Sequence, residues 1–136
     1  TGMKGGHSGL DINLGRGNAN KIFFRVLKEA YKVCGLRLAS INGGNLRNAI
    51  PREAFGVVTV PYATADKLVG LVAGLTTIIK RELSATEPTL KIELSKTEMP
   101  ASLIDEKTQI NLTHAIVACP NGAIRMSDSM PGLEPK

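Results

Sequence analysis

Apolar positions along the chain switch between two periods, and the switches mark its elements. Ile22, Phe23, Val26, Leu27, Ala30 and Val33 fall on one face of a helix. Asn18 or Asn20 is placed to cap its start, and Gly35 to end it. Residues 36–41 then alternate loosely, as a strand does, and Asn42-Gly43-Gly44-Asn45 marks a turn. A second strand is predicted over residues 53–60, where β-branched residues dominate, and Pro61 stops its ladder. Thr64 opens a second helix with a broad stripe that includes Leu68, Val72, Leu75 and Ile79, and Lys80 and Arg81 suit the negative end of its dipole. Glu87-Pro88 breaks that helix, after which Leu90, Ile92 and Leu94 alternate with Lys91, Glu93 and Ser95 as a half-exposed strand. Ser102 with Asp105 forms a capping pair for a third helix that runs to about Ala118 and is closed by Pro120-Asn121-Gly122. Residues 123–127 read as one more short strand.

The order strand or loop, helix, strand, strand, helix, strand predicts an α+β fold: a ferredoxin-like split β-α-β sandwich, with two helices on one face of an antiparallel sheet, plus an appended helix and short strand. The pattern divides into a ferredoxin-like core over residues 1–98 and an appended portion over residues 99–136, whose tail over residues 131–136 reads as a cut end. A length of 136 residues, 43% of them hydrophobic and 21% charged, suits one domain with a sizeable core. The apolar stretches near residues 57–60 and 68–79 read as too short or too interrupted for a membrane span, and no signal peptide opens the chain. Cys34 and Cys119 lie far apart near helix ends, which favours buried thiols and a reducing, cytoplasmic setting. The formal charge of +5 is spread along the chain, and three Phe, two Tyr and no Trp leave little for base stacking, which weighs against nucleic-acid binding.

Candidate chemistry centres on one imidazole. His7 lies in Lys4-Gly5-Gly6-His7-Ser8-Gly9-Leu10-Asp11, where glycines leave backbone exposed and contribute almost nothing to a core. His114, mid-helix, reads as a partly buried or surface residue. Neither histidine has a metal-ligand partner at H-x-D, H-E-x-x-H or C-x-x-C spacing. Ser8 and Asp11 do not complete a hydrolytic triad with His7, because adjacent residues on an extended chain point to opposite sides. Gly15-Arg16-Gly17-Asn18-Ala19-Asn20-Lys21 lacks the G-x-x-x-x-G-K-[ST] phosphate pattern, and a capped helix start explains it. Asn42-Gly43-Gly44-Asn45-Leu46-Arg47-Asn48-Ala49-Ile50-Pro51-Arg52-Glu53-Ala54 places amides and guanidinium groups before a strand, as donors for a carbonyl or carboxylate or simply as a polar hairpin loop.

These three segments, together with Pro120-Asn121-Gly122-Ala123-Ile124-Arg125-Met126-Ser127-Asp128, resemble the aminoacyl-histidine (Xaa-His) dipeptidase family of dinuclear-zinc exopeptidases, related to aminoacylase and carnosinase. The resemblance spans nearly the whole chain and implies the first part of a lid, or dimerisation, domain that interrupts a zinc-binding catalytic domain. It implies that the metal ligands and general-base glutamate lie in that catalytic domain, so two zinc ions belong to the full-length parent and none to this segment, which has no dipeptidase activity alone. His7 matches the lid histidine that polarises the scissile carbonyl or stabilises the oxyanion. Asn48 matches a lid asparagine that contacts substrate. The arginine that relatives use for the substrate carboxylate is replaced near Pro61, which leaves Arg47, Arg125 or an arginine outside this segment for that role.

The implied partners are a dipeptide substrate, including Xaa-His, and a second copy in a homodimer, with no nucleic acid and no membrane. A different class of function is an independent interaction module whose sheet edge or helix faces pair with another copy. Nucleic-acid binding is a third reading, which predicts strongly salt-dependent affinity.

Overall fold

A computed structural model of the chain describes residues 1–129. The elements run β1 (Gly6–His7), α1 (Ala19–Cys34), β2 (Arg37–Gly43), β3 (Ala49–Ile50), β4 (Ala54–Thr59), α2 (Ala65–Glu82) and α3 (Glu106–Ala118), with short 3-10 turns at Ile12–Leu14 and Tyr62–Thr64. The α+β plan holds. Its pairings are two antiparallel, two-stranded sheets, β1 with β3 and β2 with β4.

Helix α1 is the hub, as its periodicity requires. Phe24, Leu27, Ala30 and Cys34 are buried along one face and join Leu36, Leu38, Leu68 and Val72 in the main core. Each fully buried Phe or Leu contributes roughly 1.5–3 kcal/mol through area removed from water. The Asn18 side chain caps α1 by accepting from the Asn20 and Lys21 N–H groups, and Gly35, at φ +67°, closes it with its N–H directed to the Ala30 and Tyr31 carbonyls. Where α1 meets β4, a Cβ on Gly56 would fall 2.3 Å from the Phe23 ring, so only glycine permits that approach.

Helix α3 is docked on α1 at both ends. Lys21 Nζ donates to the Ile116 and Val117 carbonyls at 2.7 and 2.8 Å and also to that of Cys119, satisfying the C-terminal end of α3. Tyr31 donates to Glu106 at the other end, at 3.2 Å. Between them Gln109, 1% exposed, accepts from the Leu38 N–H at 2.7 Å and donates to the Leu36 carbonyl at 3.1 Å. The Leu38 carbonyl in turn accepts from the Ile104 N–H at 2.8 Å. At its start, around Leu36 and Leu38, the outer edge of β2 is therefore covered by α3 and the segment before it.

Several expected elements differ. Residues 90–95 keep an inward Leu90 and a half-buried Ile92 but form no ladder; they are held by a backbone pair with Thr1. Residues 123–127 form no strand. Thr64 does not cap α2: it ends the 3-10 turn that runs into the helix, at φ −112° and ψ 5°, and its hydroxyl is turned toward the Cys34 and Pro61 carbonyls as a donor rather than toward the helix N–H groups as an acceptor. For α3 the cap is Asp105 itself, which accepts from the Thr108 N–H, while Ser102 lies upstream. Cys34 is buried but Cys119 is exposed, since α3 ends on the surface there; both thiols are free. Residues 62–82 form a helical stretch long and apolar enough to cross a membrane by length and composition, against the expectation of an interrupted run. It buries Leu68, Val72 and Ile79 against the core. The expected cut end at residues 131–136 lies outside the described residues.

The most consequential polar contact joins the chain start to the turn after α2. Glu87, 1% exposed, accepts from the Lys4 N–H at 2.8 Å and the Gly17 N–H at 3.0 Å. A Cβ on Gly17 would sit 2.7 Å from Met3 Sδ and 3.3 Å from Leu83 Cδ1, so the approach also needs glycine. Glu87→Gln keeps the volume but turns an N–H2 toward one backbone N–H. It is expected to lower the unfolding free energy by about 2 kcal/mol, read by denaturant titration.

Two exposed carboxyl groups are held below their ordinary range. Asp105 is lowered by the Thr108 N–H and hydroxyl, and Glu82 by the paired hydrogen bonds from Arg25 at 2.6 and 2.9 Å. A depressed carboxyl pKa stabilises the fold above the unfolded value, and that contribution disappears as pH falls through the folded value. Unfolding free energy is therefore expected to drop on acidification below about pH 4. Asp105→Asn, which retains a capping oxygen, should show a smaller drop between pH 7 and pH 3 in the same titration.

Candidate functional site

The segment from Lys4 to Gly17 is a loop whose two ends meet at Glu87. Arg16 tightens its neck, donating to the Gly5 carbonyl at 2.5 Å and approaching Asp11 at 3.7 Å. Inside the loop the His7 N–H donates to Asp11 Oδ2 at 2.8 Å, and the Asp11 N–H returns to the His7 carbonyl at 3.0 Å. Gly6 must be glycine: a Cβ there would lie 2.7 to 2.9 Å from Arg16 and Asp11 atoms.

This turn also fixes the imidazole. His7 Nδ1 accepts from the Gly9 N–H at 3.0 Å and the Leu10 N–H at 3.1 Å. With Nδ1 occupied as an acceptor, the hydrogen-bond network assigns the proton of the neutral ring to Nε2. Among the described residues nothing bonds Nε2, and His7 is exposed. The ring is thus a pre-aimed N–H donor.

Strand pairing brings the other glycine-rich motif alongside. Gly6 lies opposite Ile50 and His7 opposite Ala49, and the Ser8 N–H donates to the Asn48 carbonyl at 2.9 Å. The motif between them, at the start of α1, ties the second loop down: the Ala19 N–H donates to the Pro51 carbonyl at 2.8 Å, and Asn20 donates to that of Gly43 at 3.3 Å. Together they frame an open cleft of about 630 Å³ with His7, Asn48, Asn42 and Asn45 on its walls, and Lys4 and Arg52 set against Glu53. Amide and imidazole donors beside a cationic excess suit a carboxylate or a developing oxyanion.

Of the residues singled out from sequence, the structure brings His7 and Asn48 together. Arg47 is exposed on the same loop but outside the cleft's walls, and Arg125 pairs with Asp128 at 2.9 Å, also outside it. Lys4 and Arg52 also line the cleft. Arg52 is one of the guanidinium groups that the sequence of residues 42–54 offered as donors, whereas Lys4, at the start of the first motif, was not singled out. Among the described residues no three His, Cys, Asp or Glu side chains gather to hold a metal.

The family model for the peptidase dimerisation domain matches residues 1–87. The chain belongs to this family. Like its relatives, this peptidase dimerisation domain aligns along nearly its whole length: it is 41% identical over 132 residues to the cytosol non-specific dipeptidase of Escherichia coli (strain K12), covering 97% of this chain and 27% of that protein. The crystal structure of aminoacylhistidine dipeptidase from Vibrio alginolyticus superposes with a TM-score of 0.94 at 42% identity, covering 98% of this chain and 27% of that one. The chain therefore spans about a quarter of the length of these dipeptidases, and the resemblance carried by the glycine-rich motifs holds. The dimerisation domain's described residues place the His7 loop and the Asn48 loop on one cleft.

Long-range ¹H–¹⁵N correlation spectra are expected to show the Nε2–H tautomer of the His7 ring in this dimerisation domain. Replacing Gly9 with proline, which removes one of the two N–H donors to Nδ1, should shift the spectrum toward a tautomer mixture.

Proposed function

We propose that this chain is the lid-side part of a bipartite active site in a dipeptidase that hydrolyses unblocked dipeptides, including Xaa-His. The observation that supports this reading is the His7 ring, held through Nδ1 on the wall of an open cleft that Asn48 also lines. Such a donor stabilises the negative charge that builds on the scissile carbonyl oxygen as water adds, an interaction that strengthens toward the transition state. Asn48 is assigned to substrate contact. For the substrate carboxylate, a place on the cleft wall favours Arg52 over Arg47 and Arg125.

The zinc pair implied by the resemblance does not fit this chain, whose described residues offer no ligand set, so no step here runs through it. A metal-binding catalytic domain elsewhere in the parent would activate the water, and the lid alone is inactive. Residues 99–129 belong to the same lid domain as residues 1–98, because α3 is seated on α1 and β2. The assembled protein is a cytoplasmic homodimer. The solvent face of α2 supports self-association: Val69 is 57% and Ile78 49% exposed, and Gly70 and Gly74 have no neighbour within contact of a Cβ.

His7→Ala in the full-length parent is expected to lower turnover by roughly 10²–10³-fold, the range for loss of one oxyanion donor, with metal content unchanged. Steady-state kinetics alongside elemental analysis reads both. Wild-type turnover in that variant would refute the assignment.

A further inference from the structure

Two asparagines of this chain are followed by glycine, in Asn42-Gly43 and Asn121-Gly122. The main-chain nitrogen after an asparagine can attack the side-chain amide carbon and close a five-membered ring, and a side chain on the attacking residue obstructs that approach. Glycine removes the obstruction in both pairs, so the fold decides which of them reacts.

Asn42-Gly43 is locked in a ladder. It ends β2, with Asn42 opposite Phe55 and Gly43 opposite Ala54 on β4, and the Gly43 carbonyl accepts from Asn20 at 3.3 Å. A Cβ on Gly43 would collide with the Asn20 amide and lie 3.0 Å from the Ala54 side chain, so this peptide has no room to turn. Ring closure there needs the strand end to open first.

Asn121-Gly122 lies beyond α3 and is free to move. Asn121 is exposed, Gly122 sits at φ +102°, and a Cβ there would meet nothing within 4 Å. Among the described residues neither the Gly122 N–H nor Asn121 Nδ2 is hydrogen-bonded. The side-chain oxygen of Asn121, in contrast, is held. Asn18 uses its Oδ1 to cap α1, accepting from the Asn20 and Lys21 N–H groups at 3.0 and 3.3 Å, which leaves its Nδ2 to donate to Asn121 Oδ1 at 2.8 Å. That oxygen takes up negative charge when a nitrogen adds to Cγ, so the bond from Asn18 strengthens as the addition proceeds.

We propose that Asn121 is a site of spontaneous deamidation, selected over Asn42 by the fold and assisted by Asn18. The Gly122 nitrogen gives up its proton to solvent and bonds to Asn121 Cγ; the Cγ–Nδ2 bond breaks, and Nδ2 leaves as ammonia with a proton from water. Water then opens the succinimide. Attack at Cγ gives aspartate, and attack at the main-chain carbonyl carbon gives isoaspartate, with no oxidant or reductant involved. The aspartate product places negative charge near the amino-terminal end of α1, where the helix dipole favours it, and keeps an acceptor for Asn18. The isoaspartate product adds a methylene to the main chain and shifts the residues after it. The proposal does not depend on the peptidase reading.

The test incubates the chain at mildly alkaline pH and follows the amide-to-acid mass gain after trypsin digestion. Residues 38–47 carry Asn42 and residues 108–125 carry Asn121, and fragment ions assign the position within each. Synthetic peptides of the same two sequences give the rates without a fold. Normalised to these peptides, Asn121 in the folded chain is expected to convert about tenfold faster than Asn42, the factor set by about 1.4 kcal/mol of extra barrier in the ladder. Asn18→Asp keeps the capping oxygen but replaces the donor with an acceptor, and Asn18→Ser caps from a side chain too short to reach Asn121. Whichever of these retains the wild-type circular dichroism should convert Asn121 several-fold more slowly. Equal normalised rates at Asn42 and Asn121 would overturn the selection by the fold, and an unchanged Asn121 rate in a folded Asn18 variant would overturn the assistance by Asn18.

Discussion

A single buried carboxylate governs how this chain closes on itself. Glu87 reaches out of the turn after α2 to the backbone of Lys4 and Gly17, residues far from it in sequence. Burying a carboxylate is costly unless its oxygens are bonded, so the contact is maintained only while both N–H groups are in place. That condition sets the path of the chain before α1, the close approach of Met3 and Leu83 to Gly17, and the closure of the segment between Lys4 and Gly17. Closing a loop from both ends at one residue also removes much of the freedom that its glycines would otherwise keep.

Within that closed loop a flexible composition yields a fixed side chain. Glycine at position 6 makes room for Asp11 and Arg16, Asp11 bonds the His7 backbone, and the turn that results presents two amide groups to the imidazole. Every element of this arrangement is local except its frame, which comes from β3 and the start of α1. A histidine positioned in this way needs no carboxylate partner to define its tautomer. It is suited to donating a hydrogen bond, and among the described residues its ring is bonded to no side chain with which to relay a proton.

The elements that sequence made legible are those with local causes. Helix α1 could be read complete with its caps because Asn18, Gly35 and the apolar spacing all act within a turn of one another. The meeting of His7 and Asn48 was legible only through the paired glycine-rich motifs and the family they resemble. Contacts between distant residues stayed hidden. Glu87 reads in sequence as a helix breaker before a proline, and nothing nearby signals that its carboxylate is buried. Thr64 has the right chemistry for a cap, but its side chain is turned toward the distant carbonyl of Cys34, away from the helix N–H groups. Residues 90–95 show a strand's alternation, yet a ladder depends on neighbours that local pattern does not contain. Lys4 was missed because a lone cation beside a glycine carries no spacing signature, and Arg52 was legible only as one of several donors in its loop.

One residue of α3 has a consequence for how the molecule behaves in a crowd. Gln109 offers the β2 backbone the same acceptor and donor that a neighbouring strand would, from a side chain that cannot be extended by a further strand. At Leu36 and Leu38 these main-chain groups are no longer available to a further strand, and that local refusal is built from one amide group held on a docked helix.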